Sequence, residues 1–208
     1  MACAADTLEP SPAGVPDPAG YRRRMTEERR AQPTVVAVSA DGGHRFRKRH
    51  RDVVNLIAGW GVAGDAHAGR TDQHRSHARR DPSRINLRQV HLIHAELLDD
   101  VATRGFDVAP GELGENLTTR GIDLLALPRG ARLAIGGAVL EITGLRNPCK
   151  QINGLESGLL AEMVTRGADG GIERRSGVMS VVVQSGTVRP GDAIEIRLPE
   201  THEPLQPV

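Results

Sequence analysis

The sequence predicts a mostly β domain, a β-barrel or sandwich with a few helices packed outside it. Turn signals are dense, because the 208 residues include 24 glycines and 13 prolines, and the apolar runs between them are mostly too short for helices. Some of these runs alternate apolar and polar residues, which is the period of a half-buried strand. Helical spacing of apolar residues occurs in only two segments, so an alternating β–α–β architecture is not expected.

Eight strands are predicted along the chain. The last one has the clearest alternation, with Ile194, Ile196 and Leu198 on one face. The pair Gly136-Gly137 forms a tight hairpin turn between two strands of the series. The predicted strands are residues 34–40, 52–57, 89–93, 116–119, 131–135, 138–143, 178–183 and 193–198.

Two helices interrupt these strands, at residues 94–104 and 155–166. Each has one apolar stripe, and each is followed by a glycine, Gly105 or Gly167, that favours a helix end. The first 20 residues are rich in proline with little to bury, which predicts disorder. The predicted organisation is a disordered or weakly ordered tail at residues 1–32, one domain at 33–200 and a short tail at 201–208.

Composition excludes several classes of function. The 27 basic and 26 acidic residues give a net charge of +1, so charge does not indicate nucleic acid or an anionic membrane as a partner. Four aromatic residues in the whole chain are too few for a base-stacking platform. No secretory signal or bilayer-spanning run is readable, and two cysteines cannot make a disulfide framework. We therefore expect a cytoplasmic protein in which Cys149 is reduced.

Two histidine- and glycine-rich motifs have competing interpretations. Residues 59–64 match G-x-G-x-x-G, but no helical stripe follows, so a glycine-rich turn that places Asp65 and His67 is favoured over a dinucleotide site. The spacing of His67, His74 and His77 allows a zinc site. The arginines around the last two favour a solvated basic loop instead.

The segment 111–119 places two carboxylates, an asparagine and two hydroxyls close together in sequence. It is either a surface turn leading into a strand or a loop held at a site by a rigid scaffold. Glu112 and Glu115 cannot both face an anionic ligand as carboxylates, because like charges repel. We expect one to point inward against an arginine or backbone amide and the other to be solvated.

The strongest local signal is Arg146-Asn147-Pro148-Cys149-Lys150. The cysteine follows a predicted strand on a loop stiffened by proline, and a cation lies on either side of it. Neighbouring cations lower the pKa of a thiol and favour the thiolate, which is the form that acts as a nucleophile or metal ligand. A functional Cys149 is therefore favoured over a buried, inert one.

At these residues the chain resembles the MOSC domain family, named after the C-terminal domain of molybdenum cofactor sulfurases, and especially its stand-alone bacterial YiiM-like branch. The resemblance covers about residues 34–198. The matching segments, in family order, are residues 62–69, 86–93, 111–121, 130–135, 146–149, 177–179 and 191–192.

The resemblance implies a β-barrel like the inserted domain of pyruvate kinase, and it implies that Cys149 is the family's cysteine. In relatives that bind molybdenum cofactor (molybdopterin) this cysteine ligates molybdenum, and in sulfurases it is proposed to carry sulfur. The other residues that the resemblance places around the cofactor are Arg146, Asn147, Glu115, Asn116, His67 and Asp65. Arginines and backbone amides suit the anionic pterin phosphate, whereas independent binding of pyridoxal phosphate is not expected.

The implied activity is reduction of small N-hydroxylated compounds at molybdenum. Electrons would come from separate electron-transfer proteins, because the chain has no iron–sulfur cysteine cluster or flavin motif. A sulfur or cofactor carrier without turnover of its own is the alternative, and a zinc hydrolase is the third hypothesis. No nucleic-acid or membrane partner is expected, and an oligomer is possible.

Overall fold

The computed structural model describes residues 32–73, 79–166 and 170–208. The chain divides into two units, Met1–Ala31 and Gln32–Val208, and the structure described below belongs to the second. The N-terminal tail predicted for residues 1–32 therefore lies almost wholly outside the described residues, as do His74, His77 and Gly167. Among the described helices, none is long and apolar enough to cross a membrane.

Strands predominate over helices in the described unit, so the predicted mostly β class is confirmed. The helices are α1 (Ala95–Thr103) and α2 (Leu159–Glu162), with a 3-10 helix at Lys150–Gly154. The strands are β1 (Thr34–Ala40), β2 (Arg49–Arg51), β3 (Val54–Ile57), β4 (Gly61–Val62), β5 (Val90–His94), β6 (Leu117–Arg120), β7 (Arg132–Ile135), β8 (Ala138–Leu145), β9 (Val164–Arg166), β10 (Ile172–Arg174), β11 (Val178–Gln184), β12 (Gly186–Val188) and β13 (Ile194–Arg197).

One eight-stranded sheet organises the unit, in the order β13-β7-β8-β11-β5-β6-β1-β2. Its pairs are antiparallel except β5–β6, which are parallel and are connected through α1. Two small sheets, β12-β3-β4 and β10-β9, complete the architecture.

The large sheet is not closed into a barrel by a continuous ladder. Its β1 and β13 nevertheless approach each other, because Thr34 and Ala193 form an isolated bridge. The amide of Val35 donates to the carbonyl of Asp192 (2.9 Å), and that of Ile194 donates to the carbonyl of Pro33 (2.7 Å). We call this line of contacts the seam. The predicted barrel is thus an almost closed sheet with a weak join.

Strand β5 lies between two hydrophobic cores. Leu92 packs in the main core, which the large sheet surrounds, and Ile93 packs in a smaller core beneath α1. Because side chains alternate across a strand, His91 shares the face of Ile93. Fully buried leucines and isoleucines dominate both cores. Their close packing holds the strands in place, and with them the polar side chains at the strand ends.

The eight predicted strands are all present, with ends shifted by two residues at most. Five short strands were missed, because two or three residues are too few to show a period. One of them, β2, is fully exposed at the edge of the sheet. Its arginines suit that position, since charged side chains discourage edge-to-edge association.

The predicted helix at 94–104 is confirmed as α1, but the one at 155–166 is wrong over most of its length. The four-residue α2 follows Gly158, whose φ of 93° breaks the helical path. The apolar residues that suggested a helix, Leu159 and Met163, are still fully buried in the smaller core. The chain then continues as β9, starting at the β-branched Val164.

Gly177, immediately before β11, allows a close approach between neighbouring strands. Its φ is 87°, and a Cβ there would lie 2.1 Å from the carbonyl oxygen of Leu92. Gly137 has nearly the same φ, 84°, but a Cβ there would meet nothing within 4 Å. We expect Gly137→Ala to lower the free energy of unfolding by about 1 kcal/mol, for the left-handed backbone alone. Overpacking should raise the loss for Gly177→Ala to about 3 kcal/mol.

Urea unfolding of the two variants checks this pair. Equal losses would show that backbone conformation alone, and not the approach to β5, explains the requirement for glycine at position 177.

Candidate functional site

A cavity of about 390 Å³ opens where several strand ends and loops meet. The loop between β1 and β2 forms one wall, and the loop after β8 forms another, with β5 and the segment before it between them. The lining residues are His44, Arg45, Phe46, Lys48, His67, Gln73, Arg79, Arg88, His91, Gly114, Asn116, Arg146, Asn147, Cys149, Gln151 and Met179.

The half-buried thiol of Cys149 lies in this cavity beside two arginines. Its Sγ is 3.6 Å from Oε1 of Gln151. Burial lowers the pKa of Arg146, while attraction to Cys149 opposes that shift; Arg88 is also within electrostatic range of the thiol. Sequence reasoning chose Lys150 as the second cation, but Lys150 is exposed and does not line the cavity. The structure puts Arg88 in that role.

Arg146 is a buried cation with unused hydrogen-bonding capacity. Its side chain lies over the ring of Phe46, with Cζ 5.7 Å from the ring centre. Its Nη1 is buried without a hydrogen-bond partner among the described residues. A buried donor without an acceptor is costly, so the site is built to receive an acceptor or an anion at this atom.

The backbone around Gly177 fixes the loop that carries the thiol. The amide of Arg146 donates to the carbonyl of Gly177 (3.0 Å), and Oγ of Ser176 donates to the carbonyl of Arg146 (3.1 Å). Farther along, Nε of Arg174 donates to Oδ1 of Asn147 (3.1 Å). The short strand β10 and the two residues just before β11 thereby position Arg146 and Asn147, which precede Pro148.

Asp65 lies beneath the cavity and holds three of its lining residues. It accepts two hydrogen bonds from Nζ of Lys48 (2.7 and 2.9 Å) and one from Nδ2 of Asn116 (3.1 Å). The backbone amide of His67 also donates to it (3.0 Å), and its Oδ1 is 3.3 Å from Nδ1 of the same ring. Burial opposes the charged carboxylate, but His67 and Lys48 outweigh that cost and hold the pKa of Asp65 below its usual range. Burial lowers the pKa of Lys48, although its ion pair with Asp65 opposes that shift.

Of the two glutamates of the 111–119 segment, one is buried and the other is partly exposed, but neither lines the cavity. Glu115 is fully buried and accepts hydrogen bonds from the amide of Gly111 and the hydroxyl of Thr118. Burial raises the pKa of Glu115, and it does not line the cavity. Glu112 is partly exposed and pairs with Arg47 (3.0 Å). Glu115 therefore supports the loop from behind, while its neighbour Asn116 reaches the cavity.

His91 is a buried, neutral part of the cavity wall. Its Nε2 lies 2.8 Å from the carbonyl oxygen of Ser176, which places the ring proton on that nitrogen. Burial and then the charge of Arg146 hold the pKa of His91 well below its usual range. As pH falls below about 6.5, the unfolded chain therefore binds a proton at this position that the folded chain does not, and stability is lost.

The low pKa of His91 predicts that stability depends on pH. We expect the free energy of unfolding of the wild type to fall between pH 7 and pH 5, and the slope to be smaller in His91→Gln. Urea unfolding at several pH values measures it, with His94→Gln, a half-buried histidine whose pKa burial also lowers, as comparison. A slope unchanged by His91→Gln would contradict the assignment of a neutral His91.

Comparison with known proteins assigns the chain to a family. The family model of the MOSC domain matches residues 67–195, more than half of the chain. The chain belongs to the MOSC domain family. A search of curated proteins finds no match.

Solved structures show the same fold as this MOSC domain. The YuaD protein from Bacillus subtilis is 26% identical, with a TM-score of 0.65 and coverage of 82% of this chain and 98% of that one. YiiM from Geobacillus stearothermophilus is 16% identical, with a TM-score of 0.56 over 79% of this chain and 75% of that one. YiiM from Escherichia coli is 20% identical, with a TM-score of 0.54 over 81% and 73%.

The MOSC cavity is lined by positive charge. Among its described lining residues are five cationic side chains and no aspartate or glutamate; the cations are Arg45, Lys48, Arg79, Arg88 and Arg146. Such a cavity suits an anionic ligand. Within the described ranges, no group of three or more His, Cys, Asp or Glu side chains could hold a metal ion. Of the histidines in the zinc hypothesis, His67 is in the cavity, and the other two lie outside the described residues.

The MOSC site unites most of the residues that the sequence indicated. Cys149, Arg146, Asn147, Asn116 and His67 line the cavity, whereas Asp65 and Glu115 lie behind its wall. Residues that sequence reasoning missed include Lys48, Arg88, Phe46 and Met179. One signal was available for Lys48: it is one of only two lysines in the chain, and it stands among exposed arginines.

Proposed function

We propose that this MOSC domain binds molybdenum cofactor in the cavity, with Cys149 as the protein ligand of the metal, and that it reduces N-hydroxylated compounds. The observation that carries the proposal is the half-buried thiol beside a buried guanidinium whose Nη1 has no hydrogen-bond partner in the part of the chain that the structure describes. A soft thiolate ligand and an anion-accepting donor together match a cofactor that contains both a thiophilic metal and a phosphate.

The residues present fit this group. Arg146 and Arg88 would hold its negative charge, and Asn147 places an uncharged amide group at the wall. When bound, the cofactor would supply oxygen-atom removal at molybdenum. The overall reaction converts an N–OH group to N–H and releases water, consuming two electrons and two protons.

The residues of the chain would then have to compensate the negative charge of the cofactor and supply protons. Arg146 and Arg88 lie within electrostatic range of Cys149 and supply positive charge beside the proposed metal ligand. His67 is the residue placed to exchange protons with a molecule in the cavity, since its ring is partly exposed there and its Nδ1 lies against Asp65. With Nδ1 held in that contact, Nε2 is the nitrogen available for proton transfer.

Electrons would come from separate electron-transfer proteins, since the sequence has no iron–sulfur cysteine cluster or flavin motif. A cytoplasmic location fits a site that depends on a reduced cysteine. Carriage of sulfur or cofactor without turnover is the second candidate, and it is favoured by the same half-buried thiol in the cavity.

The test is to purify the protein from a molybdenum-replete host, measure molybdenum and pterin per chain, and assay hydroxylamino bases with added electron donors. We expect up to one molybdenum per chain and reductase activity. Arg146→Gln should lose most of the bound metal, whereas Arg120→Gln, which breaks an exposed pair with Asp99, should retain it. A persulfide on Cys149 without activity would support the carrier instead, and stoichiometric zinc would support a hydrolase.

A further inference from the structure

The last residues of the chain, predicted from sequence as a tail, pack along the end of β8. We call residues 203–208 the strap. The amide of Arg129 donates to the carbonyl of Glu203 (2.9 Å), and the amide of Leu145 donates to the carbonyl of Gln206 (2.9 Å). Pro207 forms an isolated parallel bridge with Leu145, and Leu205 is 8% exposed in the main core. These contacts bind the strap to the segment before β7 and to the end of β8.

The strap ends on a residue of the cavity. The guanidinium of Arg88 donates through Nη1 to the main-chain carbonyl of Val208. The same guanidinium lines the cavity and is within electrostatic range of Cys149. The strap itself contributes no described lining residue, so its effect on the site passes through Arg88.

The backbone of Arg88 is fixed by other contacts. Its amide donates to Oδ1 of Asn86 (2.9 Å), and the hydroxyl of Thr143 donates to the carbonyl of the preceding Leu87 (2.6 Å). Loss of the strap would therefore leave the backbone in place while removing the main-chain acceptor of a guanidinium that Asp72 also attracts. A long arginine side chain without that acceptor has several rotamers, most of which take its charge elsewhere.

We propose that the strap is a positioning element that holds the charge of Arg88 at the Cys149 thiol, and that it thereby sets the attraction of the cavity for anions. The inference rests on the proposed function in one respect: the anion attracted to the cavity would be the cofactor. Arg88, which lines the cavity, is the residue that would meet the anion, and the strap acts on the ligand by positioning Arg88.

Gly144 offers a way to dislodge the strap without changing a cavity residue. A Cβ at this position would lie 2.3 Å from the carbonyl oxygen of Gln206 and 2.6 Å from Cγ1 of Val208. Gly144→Ala should push the strap outward. Gly154→Ala is the matched control, because a Cβ there would meet nothing within 4 Å. A chain ending at Gln206 is a second variant, which removes Val208 and keeps Leu205 in the core.

The measurement is the rate at which Cys149 reacts with iodoacetate, an anion, relative to iodoacetamide, its neutral analogue, in cofactor-free protein carrying Cys3→Ser. Simple loosening of the fold raises both rates, whereas a lost cation lowers their ratio. We expect the ratio to fall about fivefold in Arg88→Gln, in Gly144→Ala and in the chain ending at Gln206. Gly154→Ala should keep the wild-type ratio, and combining Arg88→Gln with Gly144→Ala should lower it no further than Arg88→Gln alone.

A lowered ratio in Arg88→Gln with wild-type ratios in both strap variants would overturn the proposal, as would no effect of Arg88→Gln. If Gly144→Ala does not fold, the chain ending at Gln206 decides. Because the assay contains no cofactor, its outcome is independent of whether the protein carries molybdenum.

Discussion

Replacing Cys149 by serine is expected to abolish the proposed reduction of N-hydroxylated substrates while the protein keeps its fold. The thiol is half-buried on a loop and packs in neither core, so its loss should change the free energy of unfolding by less than about 1 kcal/mol. A neutral hydroxyl is a poor substitute for a soft thiolate ligand. Bound pterin should fall only in part, since the arginines of the cavity remain.

The experiment compares the wild type with Cys149→Ser and Cys3→Ser, measuring molybdenum, pterin and turnover with reconstituted electron donors. Cys3→Ser is the matched control, because it removes the other cysteine of the chain and should leave all three quantities unchanged. Full turnover in Cys149→Ser would make the cysteine a structural thiol and refute the proposed function.

Breaking the buried ion pair between Lys48 and Asp65 beneath the cavity is expected to destabilise the protein strongly. Asp65→Asn keeps the shape of the side chain but leaves the ammonium of Lys48, whose side chain is 3% exposed, without its counter-charge. Breaking a buried pair on one side costs about 3–5 kcal/mol of unfolding free energy. Asp99→Asn, in an exposed pair with Arg120, should cost less than about 1 kcal/mol. Adding Lys48→Met to Asp65→Asn should recover part of the loss.

The same pair predicts an acid-dependent loss of stability. The pKa of Asp65 is lower in the folded chain than in the unfolded chain. As pH falls below about 4, the unfolded chain takes up the proton first, so the stabilisation that is present at neutral pH decreases. Asp65→Asn should lack this contribution. Urea unfolding from pH 7 to pH 3 measures both effects, and a loss for Asp65→Asn no larger than that for Asp99→Asn would contradict the account.

The sequence predicted the strands better than the helices because long alternating or apolar runs have one stable placement. The 131–135 and 138–143 runs with their Gly136-Gly137 turn could form little else than a hairpin. The 155–166 segment has apolar residues at helical spacing, but Gly158 stops the helix and tertiary packing buries the same residues without it. Propensity and spacing are overridden there by the path that the chain must take to β9.

The site was predictable where its residues are adjacent in sequence and unpredictable where they are brought together by the fold. Arg146 and Cys149 share one loop, so their proximity could be read directly. Arg88 and Lys48 reach the same cavity from distant segments, and no local pattern relates either of them to Cys149. The exposed Lys150 shows the converse, since adjacency in sequence does not place a side chain on the same face.

The seam between β1 and β13 has a consequence for motion. Strands β8 and β11 share a long ladder, whereas the seam has one bridge and a few hydrogen bonds. Local opening should therefore begin at the seam, and the amides of Val35 and Ile194 should exchange with solvent deuterium well before those of β8. None of the seam residues lines the cavity. Local opening of the sheet at the seam should therefore leave Cys149, Arg88 and Arg146 in place.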